Sequence, residues 1–334
     1  MNRHLMWMLA LSACVKDDVD PVDDKDVSGG DTADADTDTD TDTDVPCTAT
    51  VFGTEPADGA TAVYYRDPIE VSFEGDGSSA ALTLTDAGGT AVAFDTEWTN
   101  GNVQAILTTV LEANTTYTIA VDVCGVATSS SFTTSSLGTP LTEDPSTLLD
   151  RAYVWRLSEA TITEPSFLDF VASTYLTVPL LISVASVGSS EIELLGGVAY
   201  HENDGSYTQV MAEETWDFPA GDFAHQPYFE AYADYITVSY DGIPIPIEQF
   251  NLSGTFTADG TSIQKGVGSG FGDSRHMGPL LGREATDYNA ICEVAAGAGV
   301  VCVPCSDGEP YCLYIVAEDI TAVWEEGLTM VPVE

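Results

Sequence analysis

At 334 residues with 44% hydrophobic side chains, the chain is long enough to fill two folded cores. Its formal charge of -45, nine Lys plus Arg against fifty-four Asp plus Glu, repels nucleic acid and anionic headgroups and excludes nucleic-acid binding. Beyond residue 25 only Lys265 and five arginines carry positive charge, so most carboxylates must stay hydrated or gather loosely bound cations.

The chain begins with Arg3 and His4 followed by an apolar run from Leu5 to Leu11. This is the layout of a secretory leader, too short to span a bilayer. Leu11-Ser12-Ala13-Cys14 resembles the lipobox of bacterial lipoproteins, so residues 1–14 are expected to act as a lipoprotein signal peptide. The resemblance implies cleavage before Cys14, lipidation of that cysteine and anchoring to a membrane. The following VKDDV, residues 15–19, resembles the signal that sends some bacterial lipoproteins to the cell surface. The expected location is therefore the outer membrane, facing outward.

Residues 15–45 carry thirteen aspartates, ending in the alternating Thr/Asp run from Thr32 to Asp44. A segment so charged and so poor in apolar residues is expected to be a disordered, self-repelling tether. It lacks the glycine turn and bidentate acid of a calcium loop, so cations are expected to condense on it without a defined site.

From 46 to 137 short alternating patterns recur: Ile69-Val71-Phe73, Leu82-Leu84, Val92-Phe94, Ala105-Leu107 and Tyr117-Ile119-Val121-Val123. Turn chemistry such as Asp58-Gly59, Gly88-Gly89 and Asn100-Gly101 separates them, which predicts about seven strands in a β-sandwich. EPADGATAVYYRDPIEVSF, LEANTTYTIAV and SSSFTT resemble a bacterial Ig-like domain of the kind found in surface-layer proteins and secreted lipoproteins. The resemblance implies a spacer or binding platform. Tyr117 stands where a tyrosine corner would, and a bridge from Cys47 to Cys124 would staple the domain's start to its sheet.

Residues 138–146 read as a linker, and 147–334 as a second β-domain. Strands are predicted at 152–161, 176–187, 192–200, 207–218, 229–240, 245–256, 263–271, 300–305 and 311–323, and helices at 164–171 and 283–296. Tight turns between strands predict an antiparallel sheet, a sandwich or one curled toward a barrel. Overall the fold class is mainly β.

Setting Cys14 aside leaves Cys47, Cys124, Cys292, Cys302, Cys305 and Cys312, an even set that fits disulfides in an oxidising compartment. The last four allow three pairings, or a zinc site with only one CxxC knuckle. The pairing taken here is Cys292 with Cys302 and Cys305 with Cys312. Asp273-Ser274-Arg275-His276 brings an acid, a hydroxyl and an imidazole together, but no GxSxG or HExxH motif accompanies it. His201 beside Glu202 and Asp204, and His225 near Tyr228, could each start a metal site, but lone histidines in turns read as solvated. Aromatics from Trp216 to Tyr240 read as core filling. No catalytic, cofactor-binding or metal residue is assigned. The expectation is a lipid-anchored envelope protein with a binding, adhesion or structural role toward a protein or polysaccharide. A carrier of an apolar ligand is the second reading and a secreted hydrolase the third.

Overall fold

In the computed structural model, residues 47–169, 178–240 and 242–333 are described. The expectations placed on the leader, on Cys14 and on the acidic run lie outside them. Strong alternation over Ile69–Glu74 and Thr116–Val123 buries every second residue, as a half-buried strand must. These are β3 and β8 of a sandwich whose other strands are β1 (Thr50–Glu55), β2 (Ala60–Val63), β4 (Ala81–Asp86), β5 (Ala91–Val92), β6 (Asp95–Thr99), β7 (Gln104–Thr108) and β9 (Val126–Thr134). One sheet runs β1-β3-β7-β6 and the other β2-β9-β8-β4-β5. Val71, Leu107, Ile119 and Phe132 fill the space between them.

The sandwich thus has nine strands where alternation predicts about seven. The two additions, β2 and β6, lie at sheet edges and bury no side chain fully, so they carry no apolar period. The Tyr117 hydroxyl accepts the Glu112 backbone N–H at 2.8 Å, closing the corner expected of it.

The second domain is a closed barrel. Its strands are β10 (Ala152–Trp155), β12 (Leu180–Val187), β13 (Glu191–His201), β15 (Trp216–Asp222), β16 (Tyr228–Tyr240), β17 (Ile243–Phe256), β18 (Ser262–Asp273) and β19 (Cys312–Trp324), paired in that order. β10 pairs with both β12 and β19, which shuts the ring at eight antiparallel strands. Two short strands lie off it: β11 (Thr161–Glu164) continues along β19 beyond β10, and β14 (Tyr207–Gln209) pairs with β13. Pro244 and Pro246 sit where β17 pairs with β16 but runs beyond its pairing with β18, at the margin of the sheet where proline is tolerated.

A barrel of this size is just wide enough for its own side chains. Tyr153, Phe218, Phe223, Phe229 and Phe256 fill it and are all but inaccessible. Gly268 makes room for two large rings: a Cβ there would lie 3.3 Å from both Phe250 and Trp155. A second, smaller core lies where Met330 and Leu328 of the C-terminal tail pack with Ala152, Val154, Leu181 and Leu195.

Four segments differ from expectation. Residues 152–161 are not one strand, because a 3-10 turn at Leu157–Glu159 separates β10 from β11. Residues 207–218 break between β14 and β15, where Glu213 N–H turns back to the Val210 carbonyl. The strand expected at 300–305 is a single bridge of Val303 with Cys312, since Pro304 has no N–H to extend it. The helix expected over 283–296 is α1, Ala290–Gly297. Residues 283–289 form turns instead, the Thr286-Asp287-Tyr288-Asn289 run being poor in helix formers. Of the helix expected at 164–171, Glu164 belongs to β11 and Ser166–Leu168 form a 3-10 turn, while Phe170 and Val171 lie outside the described residues.

Candidate functional site

The turn between β2 and β3, Tyr64-Tyr65-Arg66-Asp67, closes with Asp67 N–H donating to the Tyr64 carbonyl at 3.0 Å. Two tyrosines and an arginine are poor turn residues by local propensity, and their placement shows why they are there. Thr48–Glu334 is one unit, and this turn fastens the sandwich to the barrel within it. The Tyr64 hydroxyl shares a buried 2.7 Å hydrogen bond with the Thr255 hydroxyl of β17. Burial, more than any neighbouring charge, raises its pKa and keeps it protonated. The Arg66 guanidinium lies 3.6 Å from the ring centre of Tyr228 at the start of β16, within cation–π range. Burial, aided by its hydrogen bond to Glu230, pushes the Tyr228 hydroxyl up to about 12. Tyr65 packs on Gly138, where any Cβ would come within 2.6 Å of its ring. Gly138 also has a φ of +101°, open to glycine and few others.

A cleft of about 780 Å³ opens beside this fastening. Its walls are Tyr65, Arg66 and Val110 of the sandwich, the connecting segment Asp144–Ser146, and the barrel turns at 187–189 and 224–226. The Gln226 amide ties the two barrel turns together by donating to the Ser189 carbonyl at 2.9 Å. Asp144 accepts from Ser146 N–H at 2.9 Å, and its hydrogen bonds to Ser146, side chain first, hold its carboxyl below the usual value. Two polar atoms of the cleft residues are buried without a hydrogen-bond partner, the Tyr65 hydroxyl and Arg66 Nη1. A buried donor left unmade costs about 1–3 kcal/mol, so their occurrence on adjacent residues of one cleft is a feature to be explained.

The barrel interior is crowded by its own side chains. A pocket of about 10 Å³ lies among Trp155, Phe229 and Leu252, roughly the room for one water. Trp216, Phe218, Phe223 and Phe229 point into the core, whereas Tyr232 and Tyr235 are exposed.

The cysteines lie in another region. Cys292 of α1 is bridged to Cys302 with Cα atoms 5.7 Å apart, and Cys305 to Cys312 at the start of β19 with 5.1 Å. All four sulfurs are thus used in two bridges, and none is free to ligate zinc. Cys47 and Cys124 are each disulfide-bonded as well. Asp273 is buried and grips Arg275 through both carboxylate oxygens, at 3.0 and 2.9 Å from Nε and 2.6 Å from Nη2. Asp307 takes the other side of that guanidinium at 2.6 Å. Ser274 donates its hydroxyl to the Tyr311 carbonyl at 2.6 Å, so Asp273, Ser274 and His276 form no relay. His201 stacks on Tyr207 at 4.8 Å, and its neighbours Glu202 and Asp204 accept from Thr208 and Ser206. Among the described residues no group of three or more His, Cys, Asp or Glu is placed to hold a metal, and no helix is long and apolar enough to cross a membrane.

Sequence reasoning missed Tyr64, Tyr65, Arg66 and Thr255. Their one signal was compositional: a turn made of bulky aromatics and one of the few cations, where glycine, aspartate or asparagine would serve a free loop.

No curated protein matches the chain. Among solved structures, CopC from Methylosinus trichosporium OB3b is similar at 14% identity and a TM-score of 0.24, over 26% of this chain and 94% of that one. Residues 44–135 match the family model of the bacterial Ig-like domain, and the nine-stranded sandwich is the part of the fold on which that match falls.

Proposed function

We propose that this protein is a lipid-anchored component of a bacterial cell envelope with a non-catalytic binding or structural role, its sandwich and barrel acting as one rigid body. The observation that carries the reading is the seam itself: a barrel whose interior is full is fastened to an Ig-like sandwich, and a cleft of about 780 Å³ opens between them. Binding then belongs to the outside of the barrel. The carrier reading loses support because the interior is packed, and the hydrolase reading because the Ser274 hydroxyl is committed to a main-chain carbonyl.

Support for the location comes from the leader, from the resemblance of Leu11–Cys14 to a lipobox, from the match to the bacterial Ig-like domain and from bridged cysteines, which persist in oxidising compartments. In this reading Cys14 bears the lipid, the acidic run sets the distance from membrane to sandwich, and a Cys47–Cys124 staple secures the sandwich's first residues. Cations would gather along the aspartates without a defined site, and the partner would be a protein or polysaccharide of the envelope.

The test is membrane fractionation of cells making the natural chain or Cys14→Ser, with protease added to intact cells. Release of the variant from the membrane fraction, and digestion of the natural chain from outside, are expected. A soluble cytosolic protein with reduced thiols would overturn the reading.

A further inference from the structure

We infer that the outer face of β16 and β17 docks an arginine-bearing segment of a partner protein: Tyr232, backed by Asp234, receives a guanidinium as Tyr228, backed by Glu230, receives Arg66. The inference rests on the binding role proposed above and names the surface and the partner. Phe229, Ala231 and Ala233 of β16 enter the barrel core, so the residues that alternate with them, Tyr228, Glu230, Tyr232 and Asp234, stand on its outer face. Tyr228-Phe229-Glu230 and Tyr232-Ala233-Asp234 thus set the same pair, a tyrosine with a carboxylate two residues on, twice along one strand.

The sandwich shows what the first pair takes. Arg66 lies 3.6 Å from the Tyr228 ring centre, and the Tyr228 hydroxyl donates to Glu230 at 2.6 Å, which enriches the ring in electron density and favours a cation over its face. The second pair repeats that chemistry: desolvation, then the charge of Asp234 and a hydrogen bond to it, hold the Tyr232 hydroxyl above its ordinary pKa. Tyr232 remains open to solvent, 43% exposed, and Tyr235 is 55% exposed. Tyr235 pairs with Glu248 of β17, whose carboxylate is fixed by the Ser306 N–H and hydroxyl at 2.8 and 2.6 Å. On its other side Glu248 pairs with Phe271 of β18, whose ring lies 5.1 Å from that of Tyr314, so rings and carboxylates share the face.

Charge decides the occupant. Among the described residues Glu230, Asp234 and Glu248 form no ion pair with Lys or Arg. Lys265, the one Lys or Arg on β16–β19, is paired with Asp319 at 2.6 Å. A neutral glycan would stack on the rings but leave three carboxylates without counter-charge, and an acidic one would be repelled by them and by the chain's -45. A guanidinium answers both parts of the face, lying flat on a ring while its edge reaches a carboxylate. An ammonium has no flat face to stack.

The experiment is calorimetric titration of the full chain, at physiological ionic strength, with an end-blocked glycine peptide carrying two arginines, the same peptide with two lysines, and cellohexaose. The arginine peptide is expected to bind about three- to tenfold more tightly than the lysine peptide, and the sugar not to bind. Tyr232→Leu combined with Tyr235→Leu is expected to weaken the arginine peptide about five- to tenfold and to erase its advantage over lysine, which attraction to the acidic run alone would not give. Asp234→Asn, which leaves the shape of the face unchanged, is expected to weaken it several-fold. Tyr200→Leu, at an exposed tyrosine of β13, is expected to change nothing. Equal affinity for the two peptides, unchanged affinity in the double ring variant or in Asp234→Asn, an equal loss in Tyr200→Leu, cellohexaose bound as tightly as the arginine peptide, or no binding at all would each overturn the inference. None of these results bears on membrane anchoring, which fractionation of Cys14→Ser decides separately.

Discussion

The hydroxyls of Tyr64 and Thr255 meet at 2.7 Å in the buried seam between sandwich and barrel, 191 residues apart in the chain. Thr255 is fully buried, so removing its partner strands a hydroxyl away from water. Tyr64→Phe is expected to destabilise the protein by about 1–3 kcal/mol, while Tyr64→Phe with Thr255→Val, which removes both ends, should recover much of that loss. Urea denaturation of the two single variants and the double variant measures the coupling. Additive losses would show that the two hydroxyls do not cooperate.

Stability should fall at both ends of the pH scale for identifiable reasons. Burial is the largest cause raising the pKa of Tyr64, Tyr153 and Tyr228 above the ordinary 10.0. A phenol whose folded pKa is raised favours the folded state less once the unfolded chain begins to ionise, so stability declines as pH rises above about 10. Turn carboxylates act in the opposite sense. Asp259 is lowered chiefly by the Thr257 hydroxyl, Asp86 by Thr90 N–H and Asp204 by the Ser206 hydroxyl, each from 3.8. Their contribution is complete above that value and is lost as pH falls below it. Thermal melts across pH 2 to 12 would show a plateau ending near 10 and near 4, on the order expected from those pKa values. A melting temperature still level at pH 11.5 would contradict the buried-phenol account.

Much of this architecture was legible in the residues. Period-two runs such as Tyr117-Ile119-Val121-Val123 sit in β8, and the tyrosine expected at a corner caps one. Barrel closure was not legible, because it depends on β10 pairing β19 at a separation of about 170 residues, and no local pattern encodes which two edges meet. The edge strands β2 and β6 were missed because an edge that buries little needs no alternation. The seam was missed for a related reason. Tyr64, Tyr65 and Arg66 read as an oddly bulky turn until Thr255, Tyr228 and Gly138 are brought to them from elsewhere in the chain.

The two bridges near the C-terminus should matter locally. Cys292–Cys302 and Cys305–Cys312 close short loops, with sequence separations of 10 and 7, and loop-entropy estimates give about 2–3 kcal/mol for closures of this size. The cluster they hold, with Ile291, Ala295 and Leu313 at its core, is separate from the main barrel core. Reduction is expected to loosen residues 274–311 while the barrel stays folded, seen as faster amide exchange confined to that region. Peptide mass spectrometry without reduction should recover both pairs. Exchange that quickens equally through β16 and β17 would show that the bridges support the whole barrel.

Phe256 ends β17 within the filled interior, fully buried, with the rings of Phe229, Tyr153 and Phe223 at 5.2, 5.6 and 5.9 Å. Tyr153 and Phe229 are carried by strands of a closed ring, which limits how far they can collapse into the space it leaves. Phe256→Ala is therefore expected to cost about 3–5 kcal/mol and to leave an apolar cavity. Such a cavity stays dry and takes up a small aromatic molecule, so benzene should raise the melting temperature of the variant and leave the natural protein unchanged. Benzene stabilising the natural protein equally would mean that the barrel already has room for a guest, and would restore the carrier reading that its packed interior argues against.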